Sequence, residues 1–505
     1  KLPEVPDRLF ESDHVISVHD SKEGWAKSLR LLISFLYSGE IPKYDTSKVR
    51  KAGSRLKTFG GRASGPEPLI ELFDFVIDKF KGAVGRKLSR LECHDIMCKI
   101  SDVVVVGGVR RSAMISLSDL EDSQIAKCKQ GQWWLAQPQR RLANNSAVFE
   151  GKPDMETFMT EWHNLYAGKS GERGIFNRKA SQLVASRNDR RDANQDFGTN
   201  PCSEIILRRN QFCNLTSVIA RPEDTSADLL YKVKLAAILG TIQATLTHFP
   251  YLRKVWQRNT EAEALLGVSI TGIMDCQPLY TAGSEALLRT LKESAVATNE
   301  LWADRLGINQ AAAVTCVKPE GTVSQLCGTS SGIHPQHSEY YIRTVRADNK
   351  DPMTQFMKDQ GIPNEPCIHK GDSTTIFSFP VKASEQAIKR KQLGVIEHLD
   401  LWLKFQDHYC EHKPSATISI REDEWMKVGA WVYENFDRVT GISFLPYDGG
   451  NYDQAPYQEI TKEQYEKAVS EMPVHSIDWD SLVEEEDNVE GAQQMSCSAG
   501  YCELI

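Results

Sequence analysis

The sequence predicts an α/β protein with mainly parallel strands, and three observations support this. Short apolar or β-branched runs recur along the chain, helix-length segments separate several of them, and the chain is long enough to bury a large core. The runs are residues 103–106, 267–270, 313–317, 416–420 and 442–445. Strands that alternate with helices are typical of parallel sheets, in which each crossover connection is a helix. A chain of 505 residues allows about three average domains or one large α/β barrel with additions.

Helical periodicity is clearest in the first part of the chain. Residues 25–37 show an initial helical pattern. A loop over residues 57–68, rich in glycine and proline, then leads into a second helix with Pro68 and Glu71 in its first turn. The apolar positions of this second helix are Leu69, Leu72, Phe73, Val76 and Phe80. The stretch 235–252 is uncharged and periodic, which predicts a buried helix and not a membrane span, because polar residues and Pro250 interrupt it.

Composition narrows the classes of protein. Hydrophobic residues make up 41% and charged residues 25%, as in ordinary globular proteins, and the formal charge of −8 argues against a polymeric nucleic acid partner. Twelve cysteines are too sparse for a disulfide-built scaffold, and the first residues do not have the pattern of a secretory signal. We therefore expect a protein of the reducing cytoplasm that does not bind membranes.

The segment 200–204, Asn-Pro-Cys-Ser-Glu, combines an amide, a thiol and a carboxyl group. Pro201 disfavours a helix at the residue before it, so we expect an extended loop. Alternate residues of an extended chain point the same way, which places Asn200, Cys202 and Glu204 on one face. Cys213 follows closely enough to return beside Cys202 through a hairpin. On spacing alone, the alternative that both cysteines are small buried residues is the better explanation.

The loop after residue 317 has the composition of an anion site. The predicted strand 313–317 leads into Lys-Pro-Glu-Gly-Thr-Val-Ser, in which Gly321, Thr322, Val323 and Ser324 would offer amides and hydroxyls to a phosphate. The segment is not a Walker loop, and a plain strand-to-helix turn is the alternative. Glu320 is unusual beside an anion and either points away or meets a metal ion.

The last residues change character. An acidic run near residue 485 leads into a small-residue segment with Cys497 and Cys502, which predicts a flexible tail carrying a mobile dithiol. Half of a zinc site and incidental surface thiols are the alternatives. A second ligand pair at suitable spacing is not evident, so we predict no metal site. Gly107 and Gly108 follow an apolar run, but the glycine pattern of a dinucleotide site is absent.

Several of these segments together resemble one family. Residues 200–204 followed by Phe-Cys-Asn-Leu at 212–215 resemble the finger loop of ribonucleotide reductases. Residues 57–68 resemble a stretch of the monomeric, adenosylcobalamin-dependent reductases, and Gly107, Gly108, Arg110 and Arg111 match the loop that relays effector identity to the substrate pocket. Further segments fall in the family's order, at residues 144–146, 174–177 and 267–272.

The resemblance implies a fold and a domain division. The fold would be the ten-stranded α/β barrel of the ribonucleotide reductase and glycyl radical type, incomplete at its N-terminus and followed by a flexible C-terminal tail. Residues 1–56 would end an N-terminal effector region, residues 57–480 would form the catalytic barrel with its finger loop near 200–214, and residues 481–505 would form the redox tail.

The resemblance also implies an activity, the reduction of ribonucleoside triphosphates to 2′-deoxyribonucleotides for DNA synthesis. Cys202 would carry a thiyl radical that takes the 3′ hydrogen, Glu204 would be the general base for the 3′-hydroxyl group, and Asn200 would hydrogen-bond the sugar. Cys213 would be one thiol of the reducing pair, which Cys497 and Cys502 would restore. Residues 321–324 would hold the substrate phosphates. Deoxynucleotide effectors and thioredoxin, or a similar dithiol protein, would be the partners.

The radical source implied is adenosylcobalamin. The glycyl-radical segment with its zinc site is not seen, and Tyr340 and Tyr341 follow the phosphate loop too soon to match the tyrosine pair of the diiron class. No Asp-x-His-x-x-Gly element occurs, so we do not expect a histidine ligand to cobalt.

The second active-site thiol has no evident position. Cys93, Cys98 and Cys128 lie upstream of the finger loop, but none has the family's context. We therefore expect the 505 residues to be a C-terminal part. The alternative function is a nucleotide-binding fragment that needs an N-terminal companion chain.

Overall fold

The computed structural model describes most of the chain. The described residues are 2–52, 54, 63–103, 105–106, 109–110, 113–349, 351–368, 371, 374–447, 454–473 and 477–482. Gly107, Gly108 and Arg111 of the predicted relay loop lie outside them, as do Cys497 and Cys502 of the predicted dithiol. The predictions about these residues therefore stay predictions.

The first part of the chain is a small α/β unit around two parallel strands. A hydrophobic cluster of residues between Val5 and Val103 unites it, with Phe73 and Phe80 fully buried. The elements are β1 (Phe10–Ser17), α1 (Lys22–Tyr37), β2 (Glu40–Asp45), α2 (Glu67–Lys81) and α3 (Arg90–Asp102). Because this cluster continues past the predicted division at residue 56, we propose that the first region extends to about residue 103.

The middle of the chain supplies the first strands of the main sheet and the finger loop. Its elements are β3 (Val105–Val106), β4 (Val109–Arg110), β5 (Met114–Ser118), α4 (Ser123–Lys127), α5 (Trp133–Ala136), β6 (Ala143–Phe149), α6 (Met155–Gly168), β7 (Gly174–Asn177), α7 (Arg178–Ser186), β8 (Gly198–Thr199), β9 (Ile206–Leu207), β10 (Asn214–Ile219), α8 (Ser226–Gln243), α9 (Lys254–Glu263) and β11 (Leu266–Thr271).

The remaining elements complete the sheet and add a second, antiparallel one. They are α10 (Gln277–Tyr280), α11 (Glu285–Leu306), α12 (Gly321–Cys327), β12 (Tyr340–Asp348), α13 (Pro352–Asp359), β13 (Asn364–Pro366), β14 (Thr374–Lys382), α14 (Val395–His408), β15 (Thr417–Ile420), α15 (Trp425–Glu434), β16 (Gly441–Pro446), β17 (Tyr457–Glu459) and α16 (Lys462–Glu471).

The main sheet has the order β15-β16-β7-β6-β5. Its neighbours are parallel except where β16 meets β7, which are antiparallel. Single parallel bridges, Val317 to Pro414 and Val268 to Thr315, continue this order through residues 313–317 to β11 and its parallel neighbour β10. The strands therefore form an arc. It consists of two sets of parallel strands, which meet at the antiparallel pair β16 and β7. This confirms the α/β prediction, while closure into a ring of ten strands stays a prediction.

The principal core lies between this arc and the surrounding helices. It contains the aromatic side chains of α14, with Trp402, Phe405 and Tyr409 fully buried. Burial of one such side chain contributes roughly 2–3 kcal/mol. Trp402 donates a hydrogen bond to the Pro414 carbonyl and Tyr409 to the Val268 carbonyl, so these polar groups also attach α14 to the strands. The core thus fixes the strand ends that carry the cleft described below.

Most predicted elements are found, with instructive exceptions. The helices at residues 25–37 and after residue 68 are α1 and α2, and three predicted strands are β11, β15 and β16. Residues 313–317 form single bridges and not a continuous strand. The strand predicted at 103–106 is shorter in the structure, because α3 extends to Asp102; Val105–Val106 form β3, which pairs antiparallel with β4.

The helix predicted at 235–252 is present only as far as Gln243, and the prediction that it is buried is wrong. Helix α8 ends at Gln243, and its later apolar side chains face outward, with Leu239 62% exposed. Within the described ranges, no helix has the length and apolar character that a membrane crossing requires.

Candidate active site

The finger loop is a tight hairpin turn between β8 and β9. The Ser203 amide donates to the Asn200 carbonyl at 2.8 Å, and Ser203 has a left-handed backbone with φ of 66°. The Asn200 side-chain oxygen accepts from the Ile205 amide at 3.0 Å, so an asparagine side chain closes the turn from within. The predicted extended geometry is therefore wrong, and Asn200, Cys202 and Glu204 do not share one face of a strand.

Side chains from other parts of the strand arc hold the turn in place. Asn144 at the start of β6 donates to the Pro201 carbonyl at 2.9 Å. Ser415, just before β15, donates to the Cys202 carbonyl. The Lys413 ammonium donates to the Ser203 hydroxyl at 2.7 Å. The position of the Cys202 thiol is thus set by both parallel strand sets.

Cys202 lies at the wall of a deep cleft with a volume of about 400 Å³. The Cys202 side chain is buried apart from this opening. The cleft is also lined by the start of β6, by residues 170–172, by the loop 318–321, by the turn 329–337 and by the ends of β15 and β16. A cleft that is shared by a thiol, glycine-rich turns and several polar side chains fits a polar ligand of nucleotide size.

Glu204 lies inside the protein next to Cys202, with no exposed surface. Neither of its carboxyl oxygens has a hydrogen-bond partner within the described part of the chain. Burial raises the pKa of this carboxyl group above its ordinary value, while the Lys318 charge and the nearby Asn200 amide oppose the rise. A buried carboxyl group with free oxygens and a raised pKa is suited to accept and return a proton.

Two thiols lie near Glu204. Burial, and then the Glu204 charge, raise the pKa of the Cys213 thiol. Cys316 is fully buried, and its pKa is raised well above the ordinary value, first by burial and then by Glu204 and Cys213. Cys316 was not among the predicted site residues. Its place in the predicted strand leading directly to the phosphate loop was the signal that could have identified it.

The predicted phosphate loop begins where the chain leaves the arc at Lys318. Glu320, with φ of 56°, caps α12, and its carboxyl group accepts from the Ser217 hydroxyl at 2.5 Å. The Glu320 side chain therefore points into the protein, which agrees with the alternative that it points away from a bound anion. Burial raises the pKa of its carboxyl group. No cluster of three potential metal ligands occurs among the residues that the structure describes.

The predicted phosphate-binding residues differ in their access to the cleft. Gly321 lines it. The Ser324 hydroxyl is buried and donates to the Gly321 carbonyl at 3.4 Å, while Thr322 is exposed. Val323 is half-buried in the same turn of α12 and does not line the cleft. The backbone of this turn is therefore a better candidate for phosphate contact than the hydroxyls.

A second turn, residues 328–332, closes the loop. Gly332 has φ of 56°, and a Cβ atom there would lie 2.4 Å from the Lys318 carbonyl oxygen, so only glycine fits. His334 donates from Nδ1 to the Ser331 carbonyl at 2.8 Å and accepts at Nε2 from the Thr417 amide at 2.9 Å. Burial lowers the pKa of His334, so this residue is a neutral structural link between the loop and β15.

Lys413 is a further site residue that the sequence did not reveal. Its side chain is fully buried, its ammonium lies 4.6 Å from the Phe176 ring centre, and its amide donates to the Glu204 carbonyl at 3.1 Å. Burial lowers the pKa of Lys413 to about 7, and the Glu204 charge opposes this. Lys413 thus places a titratable cation behind the finger loop.

Replacing Lys413 with methionine should move the acid side of the pH–rate profile to higher pH and lower turnover about tenfold at pH 6. The reason is that the ammonium, charged below about pH 7, stabilises the Glu204 carboxylate. The free energy of unfolding of the wild type should also rise between about pH 7 and the ordinary pKa of lysine. In this range the unfolded chain keeps the proton of Lys413, while the folded protein has lost it. The variant should lose this rise. Turnover at several pH values and thermal unfolding measure both effects.

Lys404 gives a matched control, because it is largely buried and donates to the Thr281 carbonyl and the Ser284 hydroxyl away from the finger loop. Lys404→Met should leave the pH–rate profile in place. An unchanged profile for Lys413→Met would contradict the electrostatic link to Glu204.

Comparison with known proteins is consistent with this geometry. A solved B12-dependent (class II) ribonucleotide reductase superposes with a TM-score of 0.76, covering 97% of this chain and 76% of that chain at 23% sequence identity. The fold is therefore that of a ribonucleotide reductase. Residues 7–79 match the family model of the insertion domain of B12-dependent ribonucleotide reductases.

Sequence relatives give the same family. The adenosylcobalamin-dependent ribonucleoside-triphosphate reductase of Euglena gracilis is 30% identical over 96% of this chain and 66% of its own length. The protein of that name from Lactobacillus gasseri is 28% identical over 96% of this chain and 70% of its own length. The chain thus spans about seven tenths of that relative and just under two thirds of the Euglena protein. Along nearly its whole length the chain is similar to the adenosylcobalamin-dependent ribonucleoside-triphosphate reductases.

Proposed function

We propose that this chain reduces ribonucleoside triphosphates to 2′-deoxyribonucleoside triphosphates in an adenosylcobalamin-dependent radical reaction. The observation that carries the proposal is the clamped finger turn, which presents the Cys202 thiol to the cleft and contains the buried Glu204 two residues further along the chain. The relatives named above carry this activity in their names.

The chain's own residues have distinct tasks in this reaction. The Cys202 thiyl radical takes the 3′ hydrogen of the ribose, Glu204 accepts the proton of the 3′-hydroxyl group, and the Asn200 amide, whose oxygen closes the turn, has its nitrogen to offer the sugar. The 2′-hydroxyl group leaves as water, and two electrons come from a dithiol that includes Cys213. Cys202 then returns the hydrogen to the 3′ carbon.

Adenosylcobalamin, when bound, supplies the organic radical that oxidises the Cys202 thiol. The residues of the cleft fit such a group, because the Arg390 Nε and Tyr447 hydroxyl are buried donors without partners in the described part of the chain. These donors suit the amide and phosphate groups of a corrinoid. Both ring nitrogens of His334 are engaged, so this histidine is not available to ligate cobalt.

The substrate phosphates lie, in this proposal, on the backbone of residues 321–324. Deoxynucleotide effectors act through the loop that contains Gly107, Gly108, Arg110 and Arg111. Cys497 and Cys502 carry electrons from thioredoxin, or a similar dithiol protein, to the active-site pair. These assignments rest on the family resemblance.

We place the reaction in the cytoplasm. Cys98, Cys276, Cys316 and Cys410 are buried thiols that form no disulfide in the described part of the chain. Unpaired thiols and a thioredoxin-dependent cycle both suit a reducing compartment.

The direct test is deoxynucleotide formation by the purified chain with a ribonucleoside triphosphate, adenosylcobalamin and a dithiol. We expect turnover that stops when adenosylcobalamin is omitted, and a cob(II)alamin signal by electron paramagnetic resonance when nucleotide and reductant are present. Turnover only after addition of a separate N-terminal chain would instead support the nucleotide-binding fragment. Cobalamin-independent turnover would contradict the proposal.

A further inference from the structure

Two guanidinium groups converge on one tyrosine ring at the cleft. The Arg390 guanidinium lies 4.0 Å and the Arg421 guanidinium 4.6 Å from the centre of the Tyr447 ring. Arg421 directly follows β15 and Tyr447 directly follows β16, and the Tyr447 amide donates to the Ile420 carbonyl at 2.8 Å. The parallel ends of two strands therefore bring these side chains together, and all three line the cleft.

The charges of this cluster are only partly compensated. Arg421 donates to the Glu424 carboxyl group at 3.4 Å. Arg390 forms no ion pair with any residue that the structure describes, and its Nε has no hydrogen-bond partner there. The Tyr447 hydroxyl is likewise buried without a partner among the described residues. Two like charges near one ring repel each other, and a buried donor without an acceptor is costly, so the cluster favours an anion.

Among the described residues, the Glu424 carboxyl group pairs with Arg421, and none forms an ion pair with Arg390. His337, which also lines the cleft, has its pKa lowered to about 4, first by burial and then by the Arg390 charge, so it is neutral at physiological pH. The Tyr457 ring stacks on His337, and this pair closes one flank with aromatic surface. A guanidinium that stacks on a ring keeps its N–H edge free, and this edge matches the oxygens of a phosphate group.

We propose that Arg390, Arg421 and Tyr447 form a phosphate-ester subsite separate from the loop 318–324. The inference rests on the proposed function, which places the substrate phosphates on residues 321–324. With the substrate there, the phosphodiester of the cofactor's nucleotide loop still needs a positively charged partner. The shared chemistry is a phosphate ester, which comes from either the corrinoid or a bound nucleotide. The cofactor phosphodiester is the source that we favour.

The test is a set of dissociation constants measured by equilibrium dialysis in the dark, without turnover. The probes are adenosylcobalamin, adenosylcobinamide, which lacks the nucleotide loop and its phosphate, and a ribonucleoside triphosphate. For Arg390→Gln we expect the adenosylcobalamin constant to rise about 10- to 100-fold, as for loss of a charged hydrogen bond. The cobinamide and triphosphate constants should stay within about twofold of wild type. Tyr447→Phe should act in the same direction, more weakly.

Arg343 offers a matched control, since its guanidinium stacks on Tyr457 at 4.5 Å but does not line the cleft. Arg343→Gln should change none of the constants. Thermal unfolding of each variant verifies folding, and Arg421→Gln provides a second route if Arg390→Gln does not fold.

The outcomes are distinct. Weaker triphosphate binding with unchanged corrinoid binding would support the phosphate-ester subsite and assign it to the nucleotide. Equal weakening of adenosylcobalamin and adenosylcobinamide would overturn it, because the contact would then not involve the phosphate, and so would unchanged constants for all probes. Wild-type protein that binds adenosylcobalamin but forms no deoxynucleotide would reject the proposed function and leave the subsite standing.

Discussion

Replacing Cys202 with serine should lower deoxynucleotide formation by at least about 1000-fold, as expected when the residue that carries the reaction is removed. A serine hydroxyl group occupies nearly the same volume, but its O–H bond is stronger than a C–H bond, so a carbon-centred radical would not take its hydrogen and residue 202 would not become a radical. The turn is held through backbone groups of Pro201 and Cys202 and through the Ser203 side chain, so its shape should survive the exchange. The measurement is deoxynucleotide formed per enzyme, together with nucleotide binding and thermal unfolding.

Cys276 supplies the control, because it is fully buried in the principal core and does not line the cleft. Cys276→Ser should cost stability, since it buries a hydroxyl group, and should leave turnover of the folded protein near that of wild type. Retained deoxynucleotide formation by Cys202→Ser would reject Cys202 as the radical residue.

Replacing Glu204 with glutamine should lower turnover about 100- to 10,000-fold, the range expected for loss of a general base. Because the pKa of Glu204 is raised, the wild-type rate should fall as pH decreases through that raised value. The variant has no such carboxyl group, and its residual rate should lack this acid limb. Turnover measured from about pH 5 to pH 8 checks both statements. A residual rate with the wild-type acid limb would assign that limb to another group.

The same substitution should increase stability near neutral pH. A raised pKa means that the folded protein holds the proton more tightly than the unfolded chain, so wild-type stability falls as pH rises from the ordinary glutamate value through the raised one. The amide side chain introduced by Glu204→Gln does not ionise, so the variant should not show this fall. Glu161→Gln is the control, since Glu161 is paired with the buried Arg173 and lies on α6. It should lower stability and leave the pH–rate profile unchanged.

Sequence patterns predicted the fold where local signals and tertiary structure agree. The β-branched run in β11 and the apolar periodicity of α2 are both buried on the faces that their patterns indicate. The sequence patterns failed where the structure of a segment depends on its surroundings in the fold and not on its own residues. Leu239 belongs to an apolar stripe that faces outward, and the strand predicted at 103–106 is shortened to Val105–Val106 because α3 continues to Asp102. Periodicity reports that a face is apolar, not what covers it.

Cys202, Glu204 and Cys213 were proposed as site residues from residues 200–213 alone, and in the structure the Glu204 charge acts on the Cys213 thiol. The turn was missed, because the effect of Pro201 on its neighbour is local, while Asn200 closes the loop with its own side chain. Lys413 and Cys316 are distant in sequence from the finger loop, and only the strand arrangement makes them neighbours of Glu204.

Gly441 begins β16 at its antiparallel junction with β7, and the residue type at this position is linked to that at position 413. A Cβ atom on Gly441 would lie 2.7 Å from the Lys413 ammonium nitrogen and 3.4 Å from the Ser203 hydroxyl oxygen. Because glycine has no side chain, the end of the buried Lys413 side chain fits beside it. Alanine at position 441 would push the Lys413 ammonium away from the Ser203 hydroxyl, so we expect it mainly in relatives that have a shorter side chain at position 413. The two sites should therefore covary among relatives.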